Sequence, residues 1–169
     1  VPRFFEKIHS RVMEKMGTAS PIRRNLFNWA VQTGIEAIPY RLIDDPLPLA
    51  LKLRYAMADK LVLSKLRDRL GGRMRYFVSG AAPLGLHLAE FFYAVGIPIC
   101  EAYGLTETSP VVTANHLGKM RLGTVGKVIP NVEVKIAHDG EILVRGPNVM
   151  RGYYKMDTAT NEAIIEGWF

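Results

Sequence analysis

The chain has 169 residues, of which 49% are hydrophobic and 22% are charged, so it can bury a core and is too apolar to be disordered. The formal net charge of +6 favours an anionic partner. The single cysteine, Cys100, excludes an internal disulfide framework and predicts a reducing, cytoplasmic compartment. No apolar run approaches the ~20 residues of a membrane-spanning helix. The sequence has no Cys/His spacing typical of a zinc site and no RNA-binding aromatic motif. Nucleic acid is therefore not an expected partner.

Two helices are predicted at the start of the chain. Apolar residues recur every four positions over residues 4–16, and Gly17 ends this helix. Ser20 followed by Pro21 is typical of a helix start, and the second helix is expected to end near Pro39. Both apolar stripes are interpreted as core packing.

A third, basic helix is predicted between Asp44-Asp45-Pro46 and Gly71-Gly72. Its apolar face includes Leu49, Leu53 and Leu63, and its other face carries lysines and arginines. We expect the apolar face to be buried in a soluble domain. Peripheral contact with a membrane surface is the alternative.

A strand, a helix and a second strand follow. Residues 74–78 predict the first strand, and the small residues of Ser79-Gly80-Ala81-Ala82-Pro83 form a tight turn. The helix spans residues 84–95 and ends at Gly96, and residues 96–100 predict a second buried strand. Such a unit pairs its strands in parallel. The turn at residues 79–83 and the segment at residues 103–107 therefore meet at one edge of a sheet, where ligands bind in α/β folds.

The second of these segments, Tyr103-Gly104-Leu105-Thr106-Glu107, carries residue types suited to a nucleotide. Tyr103 offers a flat apolar ring to a purine, and Gly104 lets the backbone approach a ligand closely. Thr106 can donate a hydrogen bond to a phosphate oxygen. Glu107 can bind Mg²⁺, which takes one or two carboxylates together with substrate phosphates.

Residues 111–169 are predicted to be rich in antiparallel β structure. Residues 132–136 and 142–145 alternate in polarity, and His138-Asp139-Gly140 between them is a hairpin signal. A short helix is expected within residues 158–165, before a final strand. The predicted fold class is α/β: helices, then a parallel βαβ subdomain, then a mostly antiparallel β region. Residues 1–110 and 111–169 are interpreted as two parts of one domain.

Four stretches together resemble the adenylate-forming, or AMP-binding, superfamily, which includes the acyl-CoA synthetases. Residues 103–107 resemble its Y-G-x-T-E motif, and residues 79–84 resemble its adenine-side loop. Residues 140–147 resemble its G-E-I-x-V-x-G-P strand, and residues 149–154 with 167–169 resemble the segment that follows. The start Val1-Pro2-Arg3, followed by Glu6-Lys7, resembles the long-chain fatty acyl branch.

The resemblance implies an N-terminal acyl-CoA synthetase domain and an ATP-dependent long-chain fatty acid–CoA ligase. Its cofactors and substrates would be ATP, Mg²⁺, coenzyme A and a long-chain fatty acid. The sequence does not indicate an oligomeric state. Thr106, at the α-phosphate, and Glu107, on Mg²⁺, would be the catalytic residues. The resemblance places the remaining site residues around the adenine and the acyl tunnel: Gly80, Ala81 and Ala82 at the purine edge, Glu101 and Ala102 beside the ring, Tyr103 stacked on it, and Gly104 at the tunnel mouth.

Parts of the family pattern do not occur between Val1 and Phe169. These are the Ser/Thr/Gly-rich phosphate loop, the T-G-D motif and the C-terminal domain with its catalytic lysine. We therefore expect an internal piece of a longer ligase that does not turn over ATP by itself. The alternatives are an acyl-ACP or aryl-CoA ligase, a non-catalytic nucleotide-binding module, and a basic protein that binds membranes or nucleic acid.

Overall fold

The computed structural model describes residues 2–169, and Val1, the first residue of the V-P-R match, lies outside the described residues. Its helices are α1 (Pro2–Gly17), α2 (Pro21–Glu36), α3 (Ile38–Leu42), α4 (Leu49–Ala58), α5 (Ser64–Arg69), α6 (Leu86–Val95) and α7 (Asp157–Ala163). A π-helical turn (Asp59–Leu63) joins α4 to α5, and a 3₁₀ turn spans Thr106–Thr108. The strands are β1 (Phe77–Ser79), β2 (Ile99–Tyr103), β3 (Thr113–Ala114), β4 (Lys127–Val128), β5 (Glu133–Ile136) and β6 (Ile142–Arg145).

The strands form a four-stranded sheet in the order β1-β2-β3-β4 and a separate β5-β6 hairpin. β1 and β2 are parallel, with Phe77 opposite Ile99 and Ser79 opposite Glu101, and α6 is the crossover between them. β3 and β4 add to the sheet in antiparallel pairing. This arrangement confirms the predicted α/β class. The sheet includes strands from both sides of residue 110, and the division of the domain there stays a prediction.

Helix α6 is the centre of the main core. Seven of its ten residues are buried, and Phe5 of α1, Phe27 of α2 and Ile99 of β2 pack in the same cluster. The rings of Phe5 and Phe92 meet edge to face with centroids 5.6 Å apart. Gly96 ends α6 at a φ of +93°, in the left-handed region that glycine adopts without a steric penalty. The chain therefore turns sharply from α6 toward the start of β2.

The third predicted helix differs from the expectation at its start. It begins at Leu49, because Pro46 and Pro48 disfavour helical backbone at the residue before each of them. It is also divided by the π-helical turn. Its buried contacts with α2 come from Ala58 and Leu63, whereas Leu49 is 74% exposed. The prediction of a buried face containing Leu49 and Leu53 was wrong.

The second strand is longer than the pattern predicted. β2 continues through Glu101 and Ala102 to Tyr103, because β3 pairs with its last two residues. These three residues therefore belong to the strand itself, and Glu101 is buried within the sheet.

The other helix boundaries shift by a few residues. α6 begins at Leu86, since Pro83 precedes the helix and Gly85 is its N-terminal cap. α2 ends at Glu36, and Pro39 lies in the first turn of α3, where a proline is tolerated.

The predicted hairpin and the last helix are confirmed. The β5-β6 turn is closed by a 2.8 Å hydrogen bond from the Ala137 amide to the Glu141 carbonyl. α7 lies within one residue of the predicted start. Beyond it, Phe169 exchanges two backbone hydrogen bonds with Val144, so the last residue pairs with β6. Among residues 2–169, no helix has the length and apolar character needed to cross a bilayer.

Candidate functional site

A cleft of about 600 Å³ lies where the turn after β1 meets the end of β2. The two turns are adjacent because β1 and β2 are paired in parallel, so their carboxyl ends share one edge of the sheet. A third wall comes from the loop before β4. The cleft is lined by Ser79, Ala81, Ala82, Pro83, Leu84, Glu101, Ala102, Tyr103, Gly104, Leu105, Gly123, Thr124 and Val125.

The turn after β1 has features of a ligand cradle. The Ser79 side chain is 2% exposed, and its Oγ atom has no hydrogen-bond partner within residues 2–169. Ala81 has a φ of +67°, a conformation that costs free energy in residues other than glycine and is often found at binding sites. Gly80 lies behind the cleft wall, where an added Cβ would approach the Ala102 carbonyl oxygen to 3.1 Å. The small residue therefore lets the turn pack closely against β2.

The end of β2 brings a buried carboxyl group and an aromatic ring to the cleft. Glu101 is 7% exposed, and burial raises the pKa of its carboxyl group. The Leu84 amide donates a 3.4 Å hydrogen bond to Glu101 Oε2. Tyr103 is half-buried and lines the cleft. At Gly104 a Cβ atom would overlap the Pro110 carbonyl, so only glycine fits where the chain crosses itself.

The loop at residues 123–125 was not anticipated as part of the site. It is held against the cleft by the Thr113 hydroxyl, which donates a 2.9 Å hydrogen bond to the Val125 carbonyl. The Asn115 side-chain amide donates a short hydrogen bond to the Thr124 carbonyl. The glycine-rich sequence indicated a loop here, but the contact with the cleft depends on the antiparallel pairing of β3 with β2.

Thr106 and Glu107 do not line this cleft. Thr106 is exposed at the start of the 3₁₀ turn, and Glu107 is half-buried one residue later. The Tyr153 hydroxyl donates a 3.1 Å hydrogen bond to Glu107 Oε1. Burial and this hydrogen bond raise the pKa of the Tyr153 phenol, so it remains a proton donor at neutral pH. The carboxylate is thus held in one orientation by a residue 46 positions away.

The segment containing Asn148, Met150 and Tyr153 supports the turn that carries Glu107. The Met150 amide donates a 2.7 Å hydrogen bond to the Glu107 carbonyl. The Asn148 side chain donates to the carbonyls of Thr108 and Val111, both at 3.0 Å. The R-G-Y-Y sequence around Tyr153 belongs to one of the recognised motifs, but nothing local indicated that it would contact Glu107.

Within residues 2–169, the structure brings six of the predicted site residues together at the cleft, places Gly80 behind its wall, and leaves Thr106 and Glu107 beside it. The donor set fits a nucleotide in two respects. Ser79 has a buried hydroxyl without a partner at the cleft, and Tyr103 has an aromatic face there. The chemistry also fits Mg²⁺ at Glu107, whose Oε2 atom makes no hydrogen bond among the described residues.

The chain was compared with known proteins. A family model described as "AMP-binding enzyme" matches residues 1–154. The protein FadD11 of Mycobacterium tuberculosis is 43% identical over 171 residues, covering 99% of this chain and 30% of that protein. The long-chain-fatty-acid–CoA ligase FadD15 of Mycobacterium bovis is 42% identical, covering 100% of this chain and 28% of that protein. The chain therefore spans about 30% of the length of these relatives.

Solved structures of ligases resemble the fold. The o-succinylbenzoate CoA synthetase MenE from Bacillus subtilis, bound to a product analogue, has a TM-score of 0.54 and 29% identity. That match covers 63% of this chain and 25% of the other. A structure of the same synthetase with ATP and magnesium ion has a TM-score of 0.50, 27% identity, and coverage of 62% and 26%.

Proposed function

Since this chain belongs to the AMP-binding enzyme family, we propose that it forms part of an ATP-dependent long-chain fatty acid–CoA ligase. The observation that supports this most directly is the shared cleft between the turn after β1 and the end of β2. Relatives named as fatty-acid–CoA ligases align over the entire chain. The proposal concerns the whole protein, of which these residues are the adenine side.

The reaction has two steps, each of which exchanges one bond for another. A carboxylate oxygen of the acid attacks the α-phosphorus of ATP, and pyrophosphate leaves with the electrons of the broken P–O bond. The thiol sulfur of coenzyme A then attacks the acyl carbon and loses its proton, and AMP leaves with the electrons of the broken acyl C–O bond. The first step is slow in water because both reactants are anionic, so charge compensation at the α-phosphate is what the site must supply.

Five of the cleft residues are assigned to the adenine. In this proposal Tyr103 stacks on the purine, and Ala81 and Ala82 line its edge, with Gly80 supporting the turn behind them. Ala102 and Glu101 lie beside the ring. Burial raises the pKa of the Glu101 carboxyl group, whose oxygens lie at the cleft. The unpartnered Ser79 hydroxyl can make a further polar contact.

The turn at Thr106–Thr108 is assigned to the phosphates. Thr106 is exposed and free to donate its hydroxyl hydrogen to the α-phosphate. Glu107 would bind Mg²⁺, which supplies positive charge to the phosphate oxygens. Tyr153 holds the Glu107 carboxylate in place and so acts as a positioning residue.

The acid is proposed to be a long-chain fatty acid that enters past Gly104. Close packing of this glycine against Pro110 leaves no side chain at the point where the tunnel would open. An assay of a complete ligase containing this chain, across acids of increasing length, tests the proposal. Preference for acetate or benzoate would contradict it and favour an aryl-CoA or other adenylate-forming ligase.

A non-catalytic nucleotide-binding module is the second candidate, because Thr106 and Glu107 lie outside the cleft. Glu107→Gln in the complete ligase separates the two functions. For a ligase we expect adenylation to fall about 100-fold or more, since charge compensation at the phosphate is lost. ATP binding, measured by calorimetry, should weaken only modestly.

The matched control is Glu141→Gln, which makes the same change at an exposed hairpin residue. It should leave both adenylation and ATP binding unchanged. Unchanged adenylation in Glu107→Gln would contradict the assignment of Glu107 to the metal and would favour the binding module.

A further inference from the structure

A depression of about 410 Å³ lies where α1, α2 and α6 meet, and it shares no residue with the nucleotide cleft. Its polar side chains are His9 of α1, Asn28 and Gln32 of α2, and His87 of α6. The other side chains around it are apolar, and no lysine, arginine or carboxylate among residues 2–169 lines it. We call His9 and His87 the histidine pair.

The two imidazole rings of the histidine pair lie at a separation that suits a shared metal ion. Their centroids are 6.0 Å apart. A bond from zinc to a histidine nitrogen is about 2.0–2.1 Å long, so two imidazoles on one ion have their centroids about 5–6 Å apart. The two rings can therefore bind one ion after small rotations of their side chains.

Neighbouring groups position each ring of the pair. The His9 ring meets Phe91 edge to face, with centroids 4.8 Å apart. The His87 ring lies against Gly85, where an added Cβ atom would approach the ring Cε1 to 2.8 Å. Of the four histidines in the chain, only His116 makes a side-chain hydrogen bond within residues 2–169. The ring nitrogens of the pair are therefore available to another partner.

The state of His9 also suits metal binding. Burial and the nearby His87 lower the pKa of the His9 imidazole, so this ring is mainly neutral at pH 7. The neutral imidazole is the form that binds metals. His9 is half-buried and His87 is exposed, so an ion can reach the pair from solvent.

We propose that His9 and His87 together bind one divalent transition-metal ion, such as Zn²⁺ or Cu²⁺, and so link α1 to α6. Imidazole nitrogen suits these ions, whereas Mg²⁺ prefers oxygen ligands. Among residues 2–169, no group of three or more His, Cys, Asp or Glu side chains could hold a metal. The remaining ligands would therefore be water or the amide oxygens of Asn28 and Gln32. The proposal does not depend on the ligase function, because the pair lies outside the nucleotide cleft.

Titration of the chain, prepared without a histidine tag, tests this site. Calorimetry should show one Zn²⁺ bound per chain. An ion that binds the folded chain and links two of its helices stabilises the fold, so Zn²⁺ at about ten times its Kd should raise Tm by about 3–6 °C. Mg²⁺ at the same concentration should not produce this stabilisation.

Removal of the histidine pair gives the sharper test. His9→Phe keeps an aromatic ring against Phe91 but has no nitrogen ligand, and His87→Gln changes an exposed residue. The double variant should weaken Zn²⁺ binding at least about tenfold and should lose the rise in Tm. The matched control is His116→Phe combined with His138→Gln, which makes the same two changes at exposed histidines outside the depression. It should bind Zn²⁺ as the parent chain does.

Spectroscopy with Cu²⁺ tests whether both rings bind the same ion. Electron paramagnetic resonance of the chain with one equivalent of Cu²⁺ should show coupling to two imidazole nitrogens. His87→Gln alone should reduce this to one imidazole, and circular dichroism of each variant verifies the fold.

Three outcomes would overturn the proposal. The first is equal Zn²⁺ affinity in the double variant and its control. The second is an unchanged Tm in saturating Zn²⁺, because an ion held by both helices must stabilise their contact. The third is coupling of Cu²⁺ to a single imidazole in the parent chain.

Discussion

Glu101 shows how a single residue acquires its properties from the fold. Its place in a strand does not by itself indicate where its side chain lies. The parallel pairing of β2 with β1 puts Glu101 opposite Ser79, and both residues line the cleft. Burial there raises its pKa above the ordinary value of 4.5. The folded protein therefore binds this proton more tightly than the unfolded chain does, and stability falls as the pH rises from 4.5 through the raised pKa.

Glu101→Gln removes this pH dependence, because the amide does not ionise. We expect the variant to gain stability relative to the parent chain as the pH rises above 4.5, measured by urea unfolding across the range. Glu133→Gln is a control of opposite sign. The Arg145 guanidinium lowers the pKa of Glu133, so its contribution is present above 4.5 and is lost as the pH falls. Parallel stability curves for parent and Glu101→Gln would contradict the assignment.

The hydrogen bond from Tyr153 to Glu107 gives a second prediction at this scale. In a complete ligase, Tyr153→Phe should raise the Mg²⁺ concentration needed for half-maximal adenylation about tenfold, because groups that orient a metal ligand affect metal affinity by this amount. Excess Mg²⁺ should restore the rate, which a general loss of folding would not permit.

Tyr154→Phe is the control for that variant, since Tyr154 is adjacent and 84% exposed. It should leave the Mg²⁺ dependence unchanged. An unaltered Mg²⁺ dependence in Tyr153→Phe would show that Tyr153 does not position Glu107.

At the scale of elements, the π-helical turn between α4 and α5 explains why one predicted helix became two. It inserts one residue per turn and so rotates the face that packs on α2. Arg67 fixes this region to the core helix: it binds both oxygens of Asp59, at 2.6 and 2.9 Å, and donates a 2.9 Å hydrogen bond to the Val95 carbonyl at the end of α6. The apolar periodicity predicted a helix but could not predict this rotation.

Arg67→Met should therefore destabilise the fold by about 1–2 kcal/mol, because it leaves a carboxylate and a carbonyl without their donor. Urea unfolding of the isolated chain measures this. Arg54→Met is the comparison, since Arg54 pairs with Glu36 at 3.1 Å and both side chains are more exposed. Its loss should cost less than about 1 kcal/mol. Equal effects would show that the contact with Val95 contributes nothing.

At the scale of the whole molecule, the nucleotide cleft carries no positive side chain. No lysine or arginine among residues 2–169 lines it. The phosphates of ATP would therefore meet the Glu107 turn without a basic side chain from the cleft to compensate their charge. Groups from outside residues 2–169 would have to supply it in a complete ligase.

This leads to the expectation that the isolated chain does not adenylate a fatty acid. Pyrophosphate release in the presence of ATP, Mg²⁺ and a long-chain acid should equal that of a heat-unfolded sample of the same chain. Release above that control would contradict the expectation and show that residues 1–169 supply the phosphate contacts themselves.

The sequence alone determined the family and the order of the elements, and it predicted the residues that the proposal assigns to the adenine. These follow from local features: apolar periodicity, the small residues at 79–83, and the motif at 103–107. Only the tertiary structure decided that Tyr153 binds Glu107, that Glu101 is buried, and that Leu49 and Leu53 face outward. The physical reason is that periodicity records short-range preferences, whereas burial and side-chain partners depend on which distant elements pack together, here the β2–β3 pairing and the π-helical turn.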